Sequence, residues 1–565
     1  MNRENESASV RLISRTVAAL AITAAVGFAI YYFLLPPINV FSKGFWIYLF
    51  VLLALFASLM GVFNFEAIAS MSVSKQNVRG RSSAAAKGSI INSGLFSKIL
   101  CIIVSLPIIV IIIGSVISST VFNASSYAEL ITVSEREFET DMPETTEVTN
   151  IALMDTESAK ILGNRKLGAL ANVVSQYVVN GEYTQINYQG RPMKITNLEY
   201  DGFFKWLNNN KNGVPGYIMV DAIANTAEYY ELEKPMKYTY SAYFSNDLMR
   251  KLRFDYPTKI FGNISFEVDE VGKVYFIVSC LAPRVGLFGA MDVNEVIMFD
   301  PTDGSSLLLK PEEVPTWVDI VYDGELACRK YDWQGTLSGG FINSVIGNEG
   351  CKRTTDDFGY VMLDDDVWYF TGVTSVTSDE SNIGFILSCA RTGEYKFYPV
   401  IGAEEYSAMG AAQGEVQEKG YIASFPSLVN IAGEPSYIMV LKDANGLVKL
   451  YALVNVQQYS MVATGETQAE AISAYLKILS QNGIDTSGSQ AGSEKDITVA
   501  DIKYINMSGL TYVYITDGDG SVYRMEFSEK NEGIIFAGIG DKLRLAYSQD
   551  STSGINIVGS WQFIE

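Results

Sequence analysis

Not one histidine occurs among the 565 residues of this chain. A chain without imidazole cannot build a Ser-His-Asp or Cys-His nucleophile, a His-ligated zinc or a haem with a histidine axial ligand. Any remaining chemistry must run on carboxylates, lysine, serine or tyrosine, and paired-carboxylate glycoside hydrolysis is the main hydrolytic class left open. Cysteine is nearly as sparse, at five residues: Cys101, Cys280, Cys328, Cys351 and Cys389. No C-x-x-C spacing links them, so neither a zinc site nor a dithiol redox motif is written here. The last four could pair as disulfides or stay as buried free thiols. Long apolar runs are also missing from every position beyond residue 122.

Before that point there are three, at about residues 16–35, 45–65 and 99–122. Each is close to the ~20 apolar residues that a helix needs to cross a bilayer. Residues 99–119 hold fourteen Leu, Ile or Val and no charge, which at about −0.5 kcal/mol per central residue gives roughly 7 kcal/mol of insertion drive. Arg3, Arg11 and Arg15 precede the first run, and Lys75, Arg79, Arg81, Lys87 and Lys98 lie between the second and third. The positive-inside bias therefore predicts three transmembrane helices with a cytoplasmic N-terminus and a cytoplasmic loop at 66–98. Everything after about residue 122 is then extracytoplasmic. No Asp, Glu, Lys or Arg stands in mid-span, which argues against ion or substrate transport by this chain alone.

Beyond residue 119 the chain carries sixty acidic and thirty-three basic side chains. Such a surface repels nucleic acid and anionic lipid at long range and suits basic or neutral partners. This part is too long for one core. An acidic stalk is expected at 123–150, with Glu135, Glu137, Glu139, Asp141, Glu144 and Glu147. Two α+β domains follow at 151–325 and 326–480, then a linker at 481–496. Five strand candidates in 497–565 suggest a small β-barrel, OB-like or SH3-like. It holds nine acidic against five basic side chains, which speaks against nucleic acid as its ligand.

Four times between 217 and 451 an aliphatic or aromatic run leads through an Asn, Asp or Gly turn into another such run. The pairs are 217–221 with 227–232, 296–300 with 305–309, 385–389 with 394–398, and 437–441 with 447–451. Helices are expected between the hairpins. Thr467 and Glu470 read as a capping box ahead of Ile472, Tyr475, Leu476 and Leu479. Leu167, Leu170, Val174 and Tyr177 form another helical stripe, and 404–419 a third helix. Alternating hairpins and helices give an α+β fold class.

Segments 296–319 (VIMFDPTDGSSLLLKPEEVPTWVD) and 385–409 (FILSCARTGEYKFYPVIGAEEYSAM) resemble the strand, turn and strand of PepSY-type domains. The whole chain is similar to membrane-anchored envelope proteins of Gram-positive bacteria, with the PepSY likeness covering about 151–479. That resemblance implies an extracytoplasmic binding or peptidase-regulating module with a protein ligand and no catalysis. Two departures stand out: Asp303-Gly304 replaces the Thr-Gly pair in the first segment, and the second lacks the Asp before its turn.

Asp364, Asp365 and Asp366, with Asp379 and Glu380, are weak candidate oxygen ligands for Ca²⁺, and a solvated hairpin rim is the favoured account of them. The 517–520 run (DGDG) has Ser528 where a calcium loop needs a bidentate Glu, so it reads as a turn. Among sixty-eight aromatic residues, Trp317, Trp333 and Trp368 are candidate binding anchors, since large rigid side chains dominate interface hot spots. The composite expectation is a membrane-anchored extracytoplasmic binding or scaffold protein that recognises a polypeptide or wall component. It would need no cofactor or metal and would assemble with other envelope proteins, with Ala and Gly on the first two spans allowing pairing with a second copy. The rivals are a cell-wall glycan hydrolase using Asp364 to Asp366 or Glu404 and Glu405, and a ligand sensor acting through a membrane partner.

Overall fold

The structure is a computed structural model that describes residues 2–75, 84–145, 153–355, 357–376, 378–484, 486, 493–507, 510–527, 529–549 and 555–564. Its first part is three helices, Asn2–Leu34, Lys43–Lys75 and Ala84–Ile117. Within them Ile13–Leu34, Lys43–Met60 and Ile99–Ile117 are long and apolar enough to cross a membrane. The third stops at Ile117, short of 122, because the chain turns extended at Ser119 and a separate helix Thr120–Ala128 sets off from there. The loop expected at 66–98 is mostly helical backbone, since the second helix runs on to Lys75 and the third begins at Ala84.

The rest of the chain is β-rich. A first sheet orders Tyr177–Val179, Arg191–Tyr200, Val214–Asp221 and Thr226–Met236, with Thr184–Tyr188 also on Arg191–Tyr200. A second sheet is the antiparallel run Ile260–Val268, Val274–Val285, Gly289–Phe299 and Ser306–Leu309. Their facing side chains, Ile195, Leu198, Tyr217 and Met219 from one and Phe266, Phe276, Val278 and Phe299 from the other, share one core. A third sheet is built on Asp366–Ser375 and Ser378–Cys389, and a fourth on Glu434–Lys442 and Val448–Asn455. Phe370, Phe385 and Leu387 of the third pack on Tyr437, Met439 and Val454 of the fourth. Helix Gly324–Leu337 joins the halves: its Leu326 lies in the core behind the second sheet, and its Ala327 and Tyr331 lie behind the third.

All four hairpins are present, and the reason is local. Asn225, Gly304, Gly393 and Gly446 sit at φ of 55, 80, 72 and 75°, the left-handed region that Gly and Asn tolerate best. The closing bond repeats: the amide N–H of Asn225, Gly304 and Gly393 donates to the carbonyl of Asp221, Asp300 and Cys389 at 3.0, 2.9 and 2.9 Å. Asp300 Oδ1 accepts the Thr302 N–H at 2.8 Å, and where the third hairpin lacks that aspartate, Cys389 Sγ accepts the Thr392 N–H at 3.4 Å.

Helix Gln468–Gln481 buries Ile472, Tyr475, Leu476 and Leu479 on the fourth sheet, as its spacing dictates. Thr467 Oγ1 accepts the Glu470 N–H at 3.1 Å, but the Glu470 carboxylate takes the N–H of Glu466, one residue before the expected partner. The expected stripe of Leu167, Leu170, Val174 and Tyr177 is not one helix. Helix Thr156–Gly168 ends first, a short turn Ala171–Val174 intervenes, and Tyr177 begins a strand. Residues 404–419 hold helix Glu405–Glu415 and a 3₁₀ turn, Gln417–Lys419.

The expected stalk is not free-standing. Val133–Glu135 pairs in parallel with Tyr395–Tyr398, and Phe138 and Met142 are buried in the core between the third and fourth sheets. Asp141 accepts the Tyr398 hydroxyl at 2.6 Å and Lys396 Nζ at 3.1 Å. The acidic residues alternate with apolar ones that anchor the segment, a pattern that composition alone hides. Residues 146–150 lie outside the described part. The linker is shorter than expected, because Ser493 already opens a strand.

Five strands end the chain: Ser493–Met507, Leu510–Asp517, Val522–Glu526, Lys542–Gln549 and Asn556–Phe563. The first pairs with the second and the fourth, the third pairs with the second and, in parallel, the fifth, and the fifth returns to the fourth. Their core, from Ile497 to Val558, is drawn from these strands and the turns between them.

The apolar helices are clamped to the body. Arg253 Nε donates to the Leu35 carbonyl at 3.0 Å and Arg250 Nε to the Tyr32 carbonyl at 3.1 Å. These guanidinium groups satisfy carbonyls that a helix end leaves open, at the end where its dipole favours a cation. Ile38 N–H donates to Pro257 O at 2.7 Å. After the third apolar helix, Ser118 Oγ accepts the N–H groups of Leu287 and Phe288 at 2.8 and 2.9 Å, and Ser118 O accepts the Tyr127 hydroxyl at 2.6 Å. The carboxyl ends of the first and third helices therefore both meet the body.

Candidate functional site

Where Thr184–Tyr188 of the first sheet meets Ile260–Val268 of the second, Thr184 Oγ1 accepts the Phe266 N–H at 3.2 Å. Two cavities flank that seam, of about 560 and 440 Å³, and they share Glu182, Thr184 and Ile264 as walls. Together they form one groove. The larger cavity is closed by the start of helix Gly324–Leu337, with Asp323, Glu325 and Arg329, and by the aromatic side chains Phe358 and Tyr360 of the third-sheet region. The smaller has Glu199, Ser241, Tyr240 and Phe276.

Carboxylates dominate its charged groups, with Glu182, Glu199, Asp323 and Glu325 against Arg329 alone among the lining residues. Glu199 is buried, and its oxygens take neutral donors: Asn197 Nδ2 at 2.6 Å, the Ser241 N–H at 2.8 Å and the Ser241 hydroxyl. Burial, reinforced by Glu199, pushes the Tyr240 phenol above its ordinary range. Asp323 is committed to capping its helix through the Leu326 N–H at 2.9 Å. Glu182 is exposed where the cavities join.

Behind the wall of the larger cavity lies a buried acid pair. Glu267 accepts Ser265 Oγ at 2.6 Å and the N–H groups of Asp319 and Ile320 at 2.7 and 3.2 Å, while Asp319 accepts the Asn187 N–H at 2.8 Å. Burial raises Glu267 to about 7, and burial with the Glu267 charge holds Asp319 well above the usual carboxylate range. Lys194 is also buried, with Nζ 5.0 Å from the centre of the Tyr360 ring, and burial lowers it to about 8 against the pull of Asp155.

The residues singled out from sequence lie elsewhere. Asp366 is paired in a two-pronged bond with Arg391 at 2.7 Å, and Asp365 binds the Asn187 amide. Asp364 and Asp365 occupy the hairpin turn at φ of 51 and 71°. The side chains of Asp379 and Glu380 lie outside the described residues. Among the described residues no group of three or more Cys, Asp or Glu is placed to hold a metal ion. In the 517–520 run, Asp519 accepts the Ser521 N–H and Lys495 bridges both aspartates, as in a braced turn. Trp368 is buried in the core under Lys396, Trp333 stands edge-on to Tyr127 at 4.9 Å, and Trp317 lies against Tyr275 at 5.2 Å. None of the three lines the groove. Glu405 is sealed in the core, bonded to the Gly372 N–H and Thr355 Oγ1. All five cysteines are free thiols, three of them buried.

Sequence reading missed Glu182, Glu199 and Tyr240. The available signal was Thr196, Asn197 and Glu199 in strand Arg191–Tyr200, three polar residues among the seven buried positions from Lys194 to Tyr200. Buried polar groups in a strand need partners, and such partners mark a site.

No protein-family model matches this chain, and no curated protein does. Among solved structures, an endo-arabinase from Bacteroides thetaiotaomicron overlaps 49% of this chain and 74% of its own, at 12% identity and a TM-score of 0.16. A score that low does not establish a common fold.

Proposed function

We propose that this chain is a membrane-anchored extracytoplasmic binding protein of the cell envelope, and that its groove takes an extended polypeptide segment or wall component bearing cationic groups, without catalysis. The observation that carries this reading is the Glu199 carboxylate, buried at the groove wall and held by neutral donors alone. A lysine or arginine from a ligand would complete it, and charge-assisted bonds of this kind are the strong ones. The PepSY-type resemblance and an OB-like order of the terminal strands are consistent with binding modules. Of the carboxylates considered for glycan hydrolysis, Asp366, Asp365 and Glu405 are instead committed to Arg391, Asn187 and the core.

Binding of a fluorescent oligolysine peptide to the full chain in detergent micelles tests this. Glu199→Gln should weaken it roughly fivefold, the effect of about 1 kcal/mol. Equal affinity in wild type and in a Glu182→Gln/Glu199→Gln double variant would remove the reading.

A second reading, a sensor, is favoured by one helix. Gly324–Leu337 begins at the groove, and its Trp333 and Leu337 pack on Tyr127, whose hydroxyl holds Ser118 at the end of the third span. Ligand at one end would bias the packing at the other.

A further inference from the structure

Outside the groove, Phe203, Phe204, Leu207, Tyr243 and Phe244 form an exposed apolar surface around Trp206, which is itself buried in the core. Helix Phe203–Asn209 and the turn Phe244–Asn246 bring together Phe203, Phe204, Trp206, Leu207, Tyr243 and Phe244. Ring centroids of Phe203 and Tyr243 lie 5.0 Å apart, and those of Trp206 and Phe244 5.7 Å apart. Phe204, Phe244 and Leu207 are 76, 57 and 51% exposed. Phe244 holds a φ of 55°, a left-handed backbone that is costly for a bulky residue and that turns its ring outward with the others.

What covers this surface follows from where it stands. Arg250 binds two carbonyls at once: Nε reaches Tyr32 in the last turn of the first apolar helix at 3.1 Å, and the terminal nitrogen reaches Phe244 at 2.6 Å. One guanidinium therefore sets Phe244 at the height of that helix's end. The same level carries Tyr31 and Tyr32, in ring contact with Phe254 at 5.4 and 6.3 Å, and the exposed Phe33 and Leu34. Aromatic residues at a span's end mark the headgroup region. The aromatic surface continues that belt sideways. Lys205 stands in the same helix and Lys211 two residues beyond its end, close enough in sequence for their ammonium groups to meet lipid phosphates.

We infer that this surface docks on the bilayer, with Phe204, Leu207 and Phe244 immersed at the boundary between headgroups and acyl chains, so that the body is held by lipid as well as by its helices. The occupant is the lipid surface itself; a second protein would have to displace the membrane to reach it. Amphipathic surfaces of this composition lie in the interfacial plane.

The test uses the full chain in phosphatidylcholine and phosphatidylglycerol vesicles doped with a lipid carrying a photoreactive acyl chain. Lipid adducts are expected on peptides spanning 203–207 and 243–244 as well as on the three helices. In a Phe204→Glu/Leu207→Glu variant the adducts at 203–207 should be lost while those on Ile99–Ile117 persist, showing that the chain is still folded and inserted. Adducts confined to the helices and the 35–42 turn would overturn the inference, as would crosslinks from the aromatic surface to a second copy of the chain. Oligolysine binding is read separately in micelles, so failure here leaves the groove reading standing.

Discussion

Glu405 shows how far a single carboxyl can be taken from its ordinary chemistry. Burial lifts it from 4.5 to about 7, against hydrogen bonds from the backbone and Thr355 that favour the ion. In the folded state it therefore keeps a proton that the unfolded chain has released. Its contribution is fully present below about pH 4.5 and is lost as pH rises toward about 7, and Glu267 acts in the same direction. Glu405→Gln keeps both bonds, since the amide oxygen can accept from Gly372 and the amide nitrogen can donate to Thr355. It should raise the melting temperature near pH 8, by on the order of 1–3 kcal/mol of stability, and change it little near pH 5. The opposite sign belongs to Asp141: although burial works against ionisation, bonds from Tyr398 and Lys396 hold it below its ordinary value, so its share is lost only on strong acidification.

At the scale of elements, the joint between the third apolar helix and the second sheet depends on a missing side chain. A Cβ at Gly289 would lie 2.6 Å from the Ser118 carbonyl oxygen, 2.8 Å from that of Val285, and against the Tyr127 hydroxyl. Two of those neighbours are backbone and cannot swing away. Gly289→Ala should cost about 1–3 kcal/mol through overpacking and expose the 118–128 segment to protease in detergent-solubilised protein. The hairpins were legible in sequence because a Gly or Asn in the left-handed region leaves a local signature. So was helix Gln468–Gln481, whose cap and apolar face are both written within a few residues. Strand Val133–Glu135 was not, since its pairing with Tyr395–Tyr398 joins segments some 260 residues apart and nothing in its acidic neighbourhood announces it.

For the whole molecule, the groove was illegible for the same reason. It is made by the meeting of two sheets and the start of a helix from distant parts of the chain, and each contributing residue reads locally as ordinary surface or core. The terminal five-stranded unit is different. Among the described residues its core is drawn only from positions at or beyond Ile497. A chain ending after residue 484 should therefore keep the melting temperature of the remaining body within a degree or two, measured in the same detergent. A collapse of the main transition would mean that the unit braces the body after all.

The clamps at Ser118, Arg250 and Arg253 have one more implication. On the membrane-anchored reading proposed above, these clamps leave no tether to swing on, and the opening between the first two sheets would sit at a fixed altitude over the headgroups. A ligand of the proposed groove would then have to descend to that level, as a hanging polymer or a neighbouring embedded protein does, and encounter would become a search across a plane rather than through a volume.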